Sequence, residues 1–478
     1  MVGVQFFLTQ IQRQFEENYR TILKYAIVLS VLLFSVAIAF IKSPRIVLLP
    51  AVAMVGVAIL LLFLRRPQIG ILAMAVSSLV VPALYSRGET SRVDPAILIE
   101  VMLLGFWVLD MLARDRQIYI VPTRVNLPLI LFSIWTLISL INGQINYYIV
   151  TKLASPFAQL SQIAIFILSG AAVLLAGNRL GSMLWLQRLT WLFIILSGFY
   201  IVWRLIPPLK PYVFRVYQEG SDASIFWVWL VAILTSQILL NRELSRRVKF
   251  VLGALLICTL YIALIEAYSW KSGWVPALIA LVVIVFIGFP KLRAVAIFLG
   301  IVVMILGLSR IGNIVSGGED YSISTRSVAW RLILDIVKVN PILGLGPANI
   351  YWYTPLFPIL GYSVNYNSHN NYIDIIAQLG IVGLVIFVWF VWEIGVLGWR
   401  LKDVAPEGFG RAYAIGALGG LIGMLVSGFL GDWFYPFVYN VGLVGYRSSM
   451  LGWLFLGGLV LLEQLYLRNG NEEAIKQS

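Results

Sequence analysis

The chain is a succession of apolar runs, most of them long enough to cross a bilayer, and this restricts it to a membrane architecture. At about 20 residues per helical span, such runs fall at residues 24–41, 46–64, 69–85, 95–113, 126–142, 158–176, 184–206, 223–240, 248–266, 272–289 and 294–309. After a long polar interval three more follow, at 371–398, 412–430 and 447–467. The expected fold is all-α, a polytopic membrane helix bundle of about 14 spans, or 12–14 because the runs at 69–85 and 126–142 are short. Composition agrees, since 60% of residues are hydrophobic and only 12% charged, a balance foreign to soluble globular domains.

Five regions follow from this pattern. Residues 1–23 alternate apolar groups (Phe6, Phe7, Ile11, Phe15) with charged ones (Arg13, Glu16, Glu17, Arg20) and read as an N-terminal cytoplasmic amphipathic segment rather than a signal peptide. Residues 24–309 form the main transmembrane bundle, 310–370 a long external loop, 371–467 the C-terminal spans and 468–478 a cytoplasmic tail. Orientation rests on lysine and arginine. With both termini cytoplasmic, most of the basic residues fall in short inner loops, and the exceptions gather around the segments that flank residues 310–370.

Several chemistries are excluded by what is scarce. One cysteine, Cys258, permits no intrachain disulfide, and one histidine plus one cysteine cannot build a conventional zinc site. No Asp-x-Asp pair and no Gly-x-x-x-x-Gly-Lys phosphate loop occur. Neither metal nor cofactor is expected. The formal charge of +13 is too dispersed for nucleic acid and fits membrane lipids, with an anionic lipid as partner.

The sole histidine, His369, stands where the polar interval gives way to an apolar helix, in Ser368-His369-Asn370-Asn371-Tyr372. An imidazole is the side chain that ordinarily exchanges a proton near neutral pH. Its placement at a membrane boundary suits a reaction centre, and it equally suits a helix-entry histidine bonded to a backbone carbonyl. Upstream, Ser324 or Thr325 can cap a helix that Pro341 stops near Asn340. Leu332, Ile333, Ile336 and Val339 would form its apolar face, laid flat on the outer interface. Arg331 has Asp335 four residues on as a potential partner. Arg326 lacks one and falls in the first turn, where a cation opposes the helix dipole, so it is the better candidate for a ligand contact.

Taken in order, these segments resemble the O-antigen ligase and polymerase superfamily. The matching elements are Ser324-Thr325-Arg326-Ser327-Val328-Ala329-Trp330, Asn340-Pro341-Ile342-Leu343-Gly344-Leu345-Gly346-Pro347, Ser368-His369-Asn370-x-Tyr372 and Gly380-x-x-Gly383. Arg215 with Gly220 and Ser221, and Tyr268-Ser269-Trp270-Lys271-Ser272-Gly273, are similar to upstream family segments. Lysine stands at 271 where the family often has arginine, giving a compact charge in place of a bidentate fork, and Gln378-Leu379 precede Gly380 where a glutamate is common.

The resemblance implies an inverting, metal-independent glycosyltransferase of the bacterial cytoplasmic (inner) membrane. Such an enzyme moves a glycan from an undecaprenyl-diphosphate carrier to an acceptor hydroxyl, on lipid A core or another glycan, at the outer face. It further implies His369 as catalytic base and Arg215, Lys271, Arg326, Arg331, Asn370 and Tyr372 as substrate-binding residues, although helix capping serves equally well for Asn370. A polymerase of O-antigen or exopolysaccharide within the same superfamily, and a polysaccharide or lipid transporter, are the alternatives.

Overall fold

Lengths of apolar sequence became helices because a bilayer interior offers no partner for backbone N–H and C=O groups, so each span must close its own hydrogen bonds. A computed structural model describes residues 56–81, 94–217, 223–267, 269–313 and 321–468, all of whose regular elements are helical apart from one isolated bridge between Ile359 and Tyr362. Two compact units are present, Met1–Arg65 and Arg66–Ser478. In the first, the described element is the short apolar helix Gly56–Arg65, here α1. The expected segment 1–23, the run 24–41 and the tail after Arg468 lie outside the described residues.

The second unit carries the bundle. Its helices are α2 (Pro67–Val80), α3 (Pro95–Arg114), α4 (Asn126–Asn142), α5 (Pro156–Arg179), α6 (Met183–Leu205), α7 (Lys210–Val216), α8 (Ser224–Leu240), α9 (Arg246–Glu266), α10 (Lys271–Gly288), α11 (Arg293–Asn313), α12 (Tyr321–Val337), α13 (Asn371–Val404), α14 (Phe409–Leu430) and α15 (Gly442–Leu467). Among the described residues, eight helices are long and apolar enough to span, namely α3, α5, α6, α9, α10, α13, α14 and α15. The runs expected near 69–85, 126–142 and 223–240 became the shorter apolar helices α2, α4 and α8.

Packing centres on α5, α8, α14 and α15, whose residues are buried on nearly all sides. Small residues permit the close approach, as membrane interfaces require. A Cβ added at Gly457 of α15 would stand 2.5 Å from the Val173 carbonyl of α5. One buried ion pair joins the early and late helices. Arg447 Nε lies 3.1 Å from Asp94 Oδ2, and its Nη2 donates to the carbonyls of Ser77, at 2.7 Å, and Val81. Arg447 is thus a fully buried tie.

The most consequential irregularity is in α13. Gly380 takes φ 68° and ψ −175°, breaking the helix. That leaves the carbonyls of 377–379 without their usual intrahelical donors, a cost a buried backbone cannot carry unmet. The turn Pro341–Gly346 fills the breach. Leu345 N–H donates to Ala377 O (2.9 Å), Gly346 N–H to Gln378 O (3.2 Å), and Pro341 O accepts from Ile381 N–H (2.9 Å). Helix α4 completes the set, with Ser139 Oγ donating to Gln378 O (2.6 Å), Trp135 Nε1 to Leu379 O (2.8 Å) and Asn142 Nδ2 to Gly344 O (2.9 Å). The two glycine motifs noticed separately in the sequence are therefore two halves of one joint.

Candidate functional site

Helix α13 begins at a tightly tied junction. Asn370 caps it, its side chain accepting from Tyr372 N–H (2.9 Å) and Ile373 N–H (3.3 Å). Ser368 Oγ donates to Asp374 Oδ1 (2.6 Å) and accepts from Asn370 N–H (2.9 Å). Between these two buried anchors His369 is held at φ 47°, a left-handed conformation that costs a non-glycine residue about 1–3 kcal/mol. Its side chain stays 39% exposed, so the surrounding ties hold the backbone and leave the imidazole accessible.

Asn371 performs a separate task. Its Nδ2 donates to Tyr435 O (2.6 Å) and its Oδ1 accepts from Phe434 N–H (3.0 Å), fixing the segment between α14 and α15. That segment carries Asp432, which is buried and lies 3.7 Å from His369 Nδ1 through Oδ1. Asn440 bridges the two, its Nδ2 donating to Asp432 Oδ1 (2.8 Å) and lying 3.3 Å from His369 Nδ1. Neutral His369 can accept from Asn440 at Nδ1. When Nδ1 carries the proton, Asp432 is the anion beside it, freeing Nε2 to receive another.

Arg326 reaches the same place from α12. Its Nη1 donates to Leu430 O (3.2 Å) at the end of α14. Burial pulls the guanidinium's proton affinity down, and the Asp432 carboxylate opposes that shift. One turn further along α12, Trp330 donates its Nε1–H to Ser368 O (2.7 Å) and packs edge-on against Phe429. Residues at i and i+4 share a helix face, so the tryptophan that pins the histidine loop also aims the arginine.

Arg326 and His369 both line a cavity of about 370 Å³, together with Thr325, Ala329, Tyr351, Ile359, Asn365, Tyr366, Asn367 and Tyr439. Asn365 and Tyr366 are held by Tyr351 O and Thr354 Oγ1. Burial pushes the Tyr366 phenol up to about 12, so it remains a neutral hydroxyl through physiological pH. Among the described residues, no three His, Cys, Asp or Glu side chains come together as a metal site.

Other expected site residues fall elsewhere. Helix α12 begins by Tyr321 and ends at Val337 rather than running from 324 to 340, so Arg326 is past the first turn and the dipole argument for it does not apply. Arg331 is exposed and off the cavity wall, because five residues at about 100° each place it about 140° around the helix from Arg326. Asp335 pairs with Lys338 instead, at 2.6 Å. The apolar face is also shifted, with Ala329, Ile333, Ile336 and Val337 buried and Val339 exposed. Tyr372 turns into the bundle, its hydroxyl donating to Leu425 O (2.8 Å), and Asn370 is spent on capping. Lys271 opens α10 beside Trp270, whose ring packs edge-on against Trp433 (5.8 Å), so it adjoins the Asp432 segment without lining the cavity. Arg215 belongs to α7, but its side chain lies outside the described residues, as do Gly220, Ser221 and Tyr268. Asp432 and Asn440 were missed; the one available signal was a carboxylate in a Gly-Asp-Trp step between two spans.

Fold and site together define a multi-pass membrane protein with a cation, an imidazole and a carboxylate gathered at one end of its helices. Residues 253–388 match the Wzy_C family model, O-antigen ligase, and the match supports the resemblance to the O-antigen ligase superfamily. Members of that family are ligases or polymerases of the glycosyltransferase kind. A comparison of the chain with curated proteins gives no match. The matched segment includes Lys271, Arg326 and His369 and stops short of Asp432 and Asn440.

Proposed function

We propose that the protein transfers a glycan from an undecaprenyl-diphosphate carrier to a hydroxyl of an acceptor such as lipid A core, at the outer face of the bacterial cytoplasmic membrane, with inversion and without a metal. The observation that carries this reading is the convergence of Arg326 and His369 on one cavity. Arg326, partly desolvated, offers a weakly screened cation to the diphosphate. His369 takes the proton from the acceptor hydroxyl as its oxygen bonds to the sugar's anomeric carbon. The bond from that carbon to the diphosphate oxygen breaks, the electron pair leaves with the diphosphate, and Asp432 stabilises the imidazolium formed. A single displacement of this kind inverts the anomeric centre.

A transporter gains little support from the helices. Asp110 is paired with Arg179 (2.6 Å), Glu266 with Arg204 (3.4 Å) and Lys210, and Glu100 accepts from Tyr446 Oη (3.0 Å). Carboxylates so engaged do not outline a pathway. The deciding experiment incubates purified protein with a defined undecaprenyl-diphosphate oligosaccharide and either lipid A core or a second carrier-linked glycan. Transfer to the first acceptor indicates a ligase and to the second a polymerase. Failure with both, in a preparation that binds the carrier, would overturn the reading.

A further inference from the structure

The carboxylates of Glu100, Asp110 and Glu266 are each buried or ion-paired within the bundle. Glu393 of α13 differs. It is half-buried, accepts from Trp389 Nε1–H of its own helix (3.1 Å), and has no ionic partner among the described residues. Its depth is unusual for such a group. Trp399 and Arg400 are exposed, and Lys402 Nζ lies 4.3 Å over the Trp399 ring, so this turn marks an interface end of α13. At 1.5 Å per residue, Glu393 lies about 9 Å inside Trp399, Trp392 about 10 Å and Trp389 about 15 Å. Carboxylates and indoles both favour the membrane surface over hydrocarbon.

Around the helix, Phe387, Phe390, Ile394 and Leu397 are buried against the bundle. The opposite face, carrying Ile381, Val385, Val388, Trp389, Trp392 and Trp399, is exposed, Trp392 to 68%. From Ile381 to Trp399 this stripe is about 27 Å long, close to the full thickness of a hydrocarbon core. Glu393 stands on its flank, beside Trp392. We propose that through this face α13 pairs in parallel with α13 of a second copy of the chain, each Glu393 carboxylate accepting from the indole N–H of Trp392 on the other copy. Lipid cannot fill the role, because acyl chains offer no donor. A twin fits better than an unrelated helix for a geometric reason. Two copies insert in the same orientation, so their two-fold axis runs along the membrane normal and brings equal depths together. Trp392 and Glu393 are neighbours, one a donor and the other an acceptor, so the stripe complements itself at that depth without a cation from elsewhere. Hydrogen bonds between helices and close packing hold membrane helices together where the hydrophobic effect does not act. The pairing is independent of the transferase reading, and it fastens the helix at whose head His369 stands.

Cross-linking of the full-length chain in native membranes tests this. With Cys258 replaced by serine, Val388→Cys should form a disulfide-linked pair under a mild oxidant, and Phe250→Cys, exposed on α9, should not. Glu393→Leu, added to the Val388→Cys chain, should weaken the pairing at least about tenfold. Glu393→Gln keeps a carbonyl acceptor and should stay paired. Trp392→Phe keeps a ring without its N–H and should lose pairing as Glu393→Leu does, which separates the hydrogen bond from apolar packing. An unchanged melting temperature of each purified variant establishes that the helix itself is intact. The proposal falls if Val388→Cys does not link, if Phe250→Cys links as well, or if the linked species contains a different polypeptide. Pairing indifferent to both Glu393→Leu and Trp392→Phe also overturns it.

Discussion

Asp432 holds a carboxylate oxygen 3.7 Å from His369 Nδ1, and the Asn440 amide touches both. The same carboxylate acts on Arg326, opposing the effect of its burial. It thus has two effects of opposite sign on the proposed reaction: it supports an imidazolium, and it competes with a diphosphate for the guanidinium.

Asp432→Asn should consequently slow glycan transfer without weakening donor binding. Losing an orienting carboxylate beside a catalytic imidazole costs up to about 10⁴ in turnover in the serine-protease triad, so a reduction of tenfold or more is expected here. Donor affinity should hold or tighten, since the remaining cation faces less competition. Single-turnover transfer and equilibrium carrier binding on the purified variant check both halves. A weakened donor with a normal transfer step would show that Asp432 serves the lipid instead.

His369→Ala and Arg326→Ala should differ in kind. Removing a positioned acid–base group lowers turnover by about 10²–10⁴, whereas removing a charge-assisted contact worth about 1.5–3 kcal/mol weakens donor binding by roughly 10- to 150-fold. Arg326→Lys should recover part of the binding, because charge returns without the fork. Arg331→Ala, on the exposed face, should leave both measurements within about twofold. Equal losses from Arg326→Ala and Arg331→Ala would contradict the helix register described above.

Gly380→Ala should be among the most damaging single changes in the bundle. A Cβ there would lie 2.0 Å from the Ile342 carbonyl oxygen, and the backbone conformation is one that glycine nearly monopolises. A loss of at least about 3 kcal/mol is expected, read as a depressed melting temperature in detergent. A variant melting within a degree or two of the parent would mean that the joint with Pro341–Gly346 is not what holds α13.

Topology can be tested on the same loop. With Cys258 replaced by serine, Tyr362→Cys, at an exposed position, should react with an impermeant thiol reagent in intact cells, and Ser245→Cys should not. The reverse labelling would turn the orientation over and move the proposed chemistry to the cytoplasmic face.

The bundle was legible because each span solves its own backbone problem, so apolar length alone announces α3, α5, α6, α9, α10, α13, α14 and α15. His369 stood out through scarcity, and Arg326 through the order of motifs along the chain. Tyr372 and Arg331 were misplaced for a simple reason: a motif fixes positions in sequence, while the direction of a side chain depends on where its helix begins. Helix α12 begins earlier than its Ser-Thr pair suggested, and Tyr372 is turned inward to Leu425. Asp432 left only its Gly-Asp-Trp step between two spans as a signal. Nothing near it is periodic, and its role exists only because Asn371 fastens the Phe434–Tyr435 backbone beside the histidine.

The joint at Gly380 also bears on how such a protein is made. Trp135, Ser139 and Asn142 leave the ribosome some 200 residues before the carbonyls they serve, at separations of 244, 239 and 202 residues. Helix α4 therefore waits with these donors unserved until the histidine helix is synthesised, and that helix settles against a segment inserted long before it. Fragments cut at 253 and 388 would carry the family's signature residues without α4, Asp432 or Asn440. Co-expression of two halves divided in the 241–245 connection, by contrast, keeps every partner of the joint and offers a route to watching the site assemble in trans.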